Sequence, residues 1–104
     1  MKFCFFDTAS DDSAVFNAAT LSMIDQTGDG TILMSFIGGT LTDGNIKNAT
    51  VILNVTSGKE MDCMKDISRF IATGRGGVLT IADDTLGAYC SSHITSCGAI
   101  ALTQ

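Results

Sequence analysis

The chain has 104 residues, of which 45% are hydrophobic and only 16% charged, and it carries a net charge of −5. That length predicts one domain spanning residues 1–104. The acidic balance offers no footprint for a phosphate backbone, so nucleic-acid binding is not expected, and no run of about 18 apolar residues exists to cross a membrane as a helix.

The first element in chain order is a strand over Lys2–Asp7, with Phe3 and Phe5 on one face and Cys4 and Phe6 on the other. Both faces are apolar, so this strand is expected to be central in its sheet or laid against a neighbour. Only four apolar residues separate Lys2 from Asp7, too few for a signal-peptide core, and the chain is expected to stay in the cytoplasm where it is made. Thr8–Ser13 reads as a polar loop. Ala14–Ile24 alternates as a strand with a break near Ala18–Thr20; a short helix over Ser13–Ala19, capped by Ser13, is the other reading. Asp25–Gly30 is expected to be a turn.

Thr31–Ile37 is a strand with two apolar faces, ended or bent by Gly38-Gly39. Asp43-Gly44, between Leu41 and Ile46, is a hairpin signal. Thr50–Thr56 alternates with Val51, Leu53 and Val55 toward the core. Ser57-Gly58-Lys59-Glu60 fits a capping box, with Ser57 and Glu60 satisfying the first amides of a helix reciprocally. That helix, over 58–73, is about 24 Å long at 1.5 Å per residue. Its predicted inner face holds Met61, Met64, Ile67, Phe70 and Ile71, opposite Lys59, Asp62, Lys65, Asp66 and Arg69. Gly74 ends it as a left-handed residue. Gly77–Asp83 is a strand apolar on both faces and expected to be central. Asp84–Ser92 is a loop holding the one tyrosine. His93–Thr103 is the last strand, with a bulge at Gly98.

Five features have residue types suited to a site. Asp25, Thr27 and Asp29, with Gly30, imitate the start of a calcium loop, but position twelve is Phe36 and the flanks read as strands, so a turn is the better reading. Cys90, His93 and Cys97 place three soft ligands in eight residues, whereas structural zinc takes four with a tight cysteine pair. The four cysteines are expected to be free thiols, most of them buried as small hydrophobes. Gly74-Arg75-Gly76-Gly77 follows a helix, and so meets the negative end of its dipole, where phosphate is not favoured. Met23, Met34, Met61 and Met64 read as core filler. Asp83-Asp84, at a strand end, is the best placed carboxylate pair. None of these is assigned a catalytic, cofactor-binding or metal-binding role, and no cofactor is expected.

The opening MKF-x-FFD strand, the SGKE helix carrying Met64-Lys65-Asp66-Ile67, the glycine-led strand stretch Gly74–Asp84 and the terminal Ile94-Thr95-x-Cys97-x-Ala99-Ile100-Ala101-Leu102 run together resemble small acidic virion structural proteins of marine, cyanophage-like tailed bacteriophages. The resemblance implies a capsid decoration, cement or tail component, located in the virion, and it transfers no functional residue.

The expected fold is therefore α+β: a mainly antiparallel sheet or sandwich of about six strands, with one amphipathic helix packed on it. Charged residues fall well below the roughly 25% of an ordinary domain, and a surface of Ser, Thr, Asn and Gly is easily desolvated against a neighbour. The absence of proline removes one means of protecting sheet edges. The expected function is a non-enzymatic phage structural protein acting through self-assembly, with homo-oligomers or other virion proteins as partners. The alternative is a small cytoplasmic protein-binding module that regulates a partner protein.

Overall fold

The computed structural model describes residues 2–9, 12–40, 46–75 and 77–103. In chain order the elements are β1 (Lys2–Ala9), β2 (Asp12–Asn17), a 3-10 turn (Ala18–Thr20), β3 (Leu21–Gly28), β4 (Thr31–Thr40), β5 (Ile46–Val55), α1 (Glu60–Thr73), β6 (Gly77–Asp83), β7 (Ala88–Tyr89) and β8 (Ile94–Thr103). The strands form two four-stranded sheets, ordered β2-β1-β6-β7 and β3-β4-β5-β8. Neighbours are antiparallel except β1 and β6, which run parallel. The fold is thus the β-rich class expected, with eight strands among the described residues in place of about six.

The extra strands have two sources. The apolar run Ala14–Ile24 is broken at Ala18–Thr20, and the break carries the chain from the first sheet into the second. Asn17 makes that corner: its side chain accepts the Ala19 N–H at 3.0 Å, and its carbonyl accepts the Thr20 hydroxyl at 2.7 Å. An asparagine that closes such a local turn competes with strand pairing. Ser13 lies in β2, so the Ser13–Ala19 helix does not form. The second source is β7, two residues within the loop expected over Asp84–Ser92.

Alternation holds where both sheets cover a strand. On β5, Ala49, Val51, Leu53 and Val55 are buried, and on β4 so are Ile32, Met34 and Phe36. Cys4 and Phe6 of β1 meet them from the other sheet. Phe16 of β2 stacks on Phe36 with ring centroids 4.8 Å apart, and Phe6 sits 6.0 and 5.9 Å from the two. This three-ring contact ties the sheets together; each fully buried side chain of this size contributes about 1.5–3 kcal/mol. β1 is internal, between β2 and β6, and β6 lies between β1 and β7. β4 runs through Gly38-Gly39 with a shift of register, pairing Ile37 with Asn48 but Thr40 with Ile46. The Asp43-Gly44 hairpin signal lies outside the described residues.

The predicted bulge at Gly98 is present. Val51 pairs with Ile100 and Leu53 with Cys97, so Gly98 and Ala99 together oppose Ile52. A Cβ on Gly98 would lie 2.7 Å from the Ile52 carbonyl oxygen, so only glycine lets the bulged backbone come this close.

The helix departs from expectation in its first residue and in both caps. It spans Glu60–Thr73 and starts after Lys59, which makes no side-chain cap bond. Gly74 has φ −63° and ψ 145°, extended and not left-handed. A Cβ there would meet Leu79 and the Phe70 carbonyl oxygen at 2.8 Å, so close packing is what Gly74 permits. The last carbonyls are met by Lys2, whose Nζ donates to Ile71 O at 2.7 Å and Ala72 O at 3.2 Å. A lysine from the other end of the sequence thus supplies the positive charge favoured at a helix C-terminus. The inner face is also rotated: Glu60, Cys63 and Ile67 are buried, Met64, Phe70 and Ile71 pack partly against the core, and Met61 is 63% exposed.

Candidate functional site

Two places gather chemistry: the C-terminal ends of the parallel pair β1–β6, and the flank between β3 and α1. The first is built by register. β1 and β6 run side by side with Asp7 opposite Asp83, so two mainly apolar strands bring carboxylates to the same level. Both are buried, Asp7 at 5% and Asp83 at 6% exposure. Asp84 N–H donates to Asp7 O at 3.0 Å, closing the end of the pair. Asp7 is the residue that reading the sequence missed. Its signal is the matching form of Lys2–Asp7 and Gly77–Asp83, each an apolar strand closed by aspartate, but only parallel pairing makes them neighbours.

These carboxylates are taken up by the fold. Asp83 Oδ1 accepts the Leu86 N–H at 3.1 Å, holding the turn after β6. Asp84 Oδ1 accepts the Tyr89 hydroxyl at 2.7 Å and the Cys97 N–H at 2.9 Å, which links β7 and β8 across the two sheets. The Thr85 side chain holds the Asp7 carboxyl below the usual carboxylate range; burial opposes this, and the Asp83 side chain assists it. The hydrogen bond to Asp84 pushes Tyr89 up to about 12, with burial adding to the shift. In this arrangement the acids act as fasteners of strand ends.

The other sequence candidates are dispersed. Of Cys90, His93 and Cys97, Cys97 points into the core from β8, while Cys90 and His93 are half-buried before it. Burial pushes Cys90 up to about 12 and Cys4 up to about 11, and raises Cys63 as well. Burial of this kind favours the protonated, less nucleophilic form of a thiol. Among the described residues no group of three or more His, Cys, Asp and Glu is placed to hold a metal ion, and no helix is long and apolar enough to cross a membrane.

The calcium-like loop is split. Asp25, Gln26 and Thr27 lie in β3, and only Asp29-Gly30 turns. Gly30 has φ +81°, the left-handed conformation that glycine adopts without strain. Its N–H donates to Glu60 Oε2 at 2.6 Å and its carbonyl accepts the Val55 N–H at 2.8 Å. Ser57 Oγ donates to Asp29 Oδ1 at 2.5 Å. Both residues of the expected capping box therefore reach this turn instead of the helix's own amides. The buried Glu60 anchors the N-terminal turn of α1 to the β3–β4 connection.

Beside that anchor lies an open groove of about 630 Å³. Leu21, Met23 and Ile24 of β3 form one wall; Met61, Met64, Lys65 and Arg69 of α1 form the other. Met23 is 51% and Met61 63% exposed. The expectation that these methionines fill the core holds for Met34 and fails for Met23 and Met61. Met23 fails because a register shift between Leu21 and Met23 turns it away from the Phe36 level. Met61 fails because Glu60 and Cys63 take the inner positions of its turn.

A second apolar surface covers the outside of the first sheet. Phe5 pairs with Val15, and Phe3 with Val78, on the face opposite Cys4 and Phe6. Val15 is 50% and Val78 63% exposed.

No family model matches this chain, and neither a curated protein nor a solved structure matches it.

Proposed function

We propose that this chain is a non-enzymatic structural protein of a tailed-phage particle, a capsid decoration, cement or tail component, that acts by assembling with copies of itself or with other virion proteins. The observation that carries the reading is the clustering of exposed apolar side chains. Met23 and Met61 share one groove, and Val15 and Val78 flank Phe3 and Phe5 on one sheet face. Single exposed apolar residues are ordinary, whereas clustered ones mark surfaces that a partner covers. The low charge content supports the same reading, since interface cores are depleted of charge. The phage setting rests on the resemblance of the strand and helix motifs, and the acidic balance suits a surface that packaged DNA must not adhere to.

Size-exclusion chromatography with light scattering tests it. The reading expects a mass that is a multiple of the 10.8 kDa chain, and co-sedimentation with phage particles. A strict monomer at high concentration, with no affinity for particles, would contradict it. The methionine-lined groove favours the second reading, a small module that binds a partner protein, because flexible methionines adapt to varied apolar surfaces. A stable monomer that captures one defined partner would select that alternative.

A further inference from the structure

The groove lies along a strand that is free to pair. β3 is an edge of the second sheet, eight residues long, and none of its residues is buried. Leu21–Gly28 contains no lysine and no proline, the residues that usually block pairing at an edge.

The direction of α1 orders the charges beside that edge. Its N-terminal turn is bonded to Gly30, just beyond the end of β3. Its C-terminal residues Ile71 and Ala72 line a cavity of about 470 Å³ with Ala18 and Ala19, just before β3 begins. The helix therefore runs antiparallel to β3, with the Arg69 turn abreast of Leu21 and the Met61 turn toward Gly28. Lys65 and Arg69 make the helix side of the groove basic. Arg69 is solvent-facing and meets Asp66 only at 3.6 Å, while the other oxygen of Asp66 accepts the Ser91 hydroxyl. The one charged residue on β3 itself is Asp25, which is exposed.

We infer that a second copy of this chain occupies the groove, its β3 pairing antiparallel with the first β3 about a twofold axis near Met23. This rests on the self-assembly reading above and names its contact. The twofold sets Asp25 of each protomer against Leu21 of the other, at the end of the groove where Arg69 stands. Two acid–base meetings form per dimer, which offsets repulsion between two chains of net charge −5. Met23 is covered at the axis and Met61 to one side of it in the same groove, and the contact is self-complementary, as a closed dimer requires. β8, the opposite edge of the same sheet, carries no charged residue over Ile94–Thr103 and offers no such complementarity.

The test measures dimer dissociation by sedimentation for the wild-type chain, Met23→Lys, Asp25→Lys, Arg69→Glu, the double variant Asp25→Lys/Arg69→Glu, and Val15→Lys as a control on the other sheet. Asp25 and the two substituted apolar residues are exposed and Arg69 faces solvent, so circular dichroism is expected to show unchanged folding. Met23→Lys should weaken association by more than about tenfold, and each single charge reversal by about threefold to tenfold. The double reversal should restore it, which misfolding cannot imitate. If the wild type assembles and the groove variants assemble equally well, while Val15→Lys separates, the inference falls and the self-assembly reading stands. If the wild type is a monomer at every concentration, the self-assembly reading itself falls.

Discussion

β5 and β3 lie in the same sheet, two strands apart, and they are treated oppositely. On β5 every second residue from Ala49 to Val55 is buried, at 0–5% exposure. On β3 no residue is buried, although Leu21, Met23 and Ile24 are as apolar as their counterparts. The difference is cover. β5 lies between β4 and β8 and faces the other sheet, whereas β3 has a neighbour on one side only and a half-open helix above it. Apolar side chains make a core only where the topology supplies a second layer, and where it does not they remain available to a partner.

The largest expected effect lies on the covered strand. Leu53→Ala should destabilise the fold by about 2–5 kcal/mol, read from denaturant midpoints, because the site is closed on all sides. A loss below about 1 kcal/mol would mean that β5 is not the centre of the core. Next is the anchor joining the β3–β4 turn to α1. Glu60→Ala strands the Gly30 N–H and should cost about 1–3 kcal/mol, while Ser57→Ala, whose bond is exposed, should cost less than about 1 kcal/mol. If Ser57 were the cap of the helix the order would be reversed.

That anchor shows why the sequence misled at this point. Serine followed three residues later by glutamate is the local signal of a capping box, and α1 does begin here. Yet Glu60 bonds a turn thirty residues away in sequence, and only the folded topology brings that partner near. Other features were legible because they are local: the alternation of β5, the break at Ala18–Thr20, the bulge at Gly98, and a helix ending at Thr73. What was not legible depends on pairing. The parallel register of β1 and β6 makes Asp7 a neighbour of Asp83, and the rotation of α1 that exposes Met61 follows from Glu60 and Cys63 turning inward.

Smaller effects come from the fastened carboxylates. Asp7 has a depressed folded-state pKa, so its contribution is present above the ordinary carboxylate value and is lost as pH falls through the lower folded value. The melting temperature should therefore drop below about pH 4, and the drop should be shallower in Asp7→Asn. Tyr89 is the one tyrosine, so its ultraviolet titration can be read without interference. Its folded pKa of about 12 lies above the ordinary value near 10, so it favours the fold at neutral pH and loses that contribution as pH rises through the folded value. Absorbance should stay flat through pH 10, and Asp84→Asn should move the rise downward. The smallest effect on stability belongs to the uncovered strand: Met23→Lys should change the unfolding free energy by less than about 0.5 kcal/mol.

Backbone amide exchange at two protein concentrations tests the contrast between β3 and β5 most directly. As concentration rises into the range where the chain assembles, the outward amides of Leu21–Gly28 should slow, because a partner strand now bonds them, while those of Val51–Val55 should not change. Exchange from β3 that remains as fast at high concentration as at low would show that no second copy pairs with this edge.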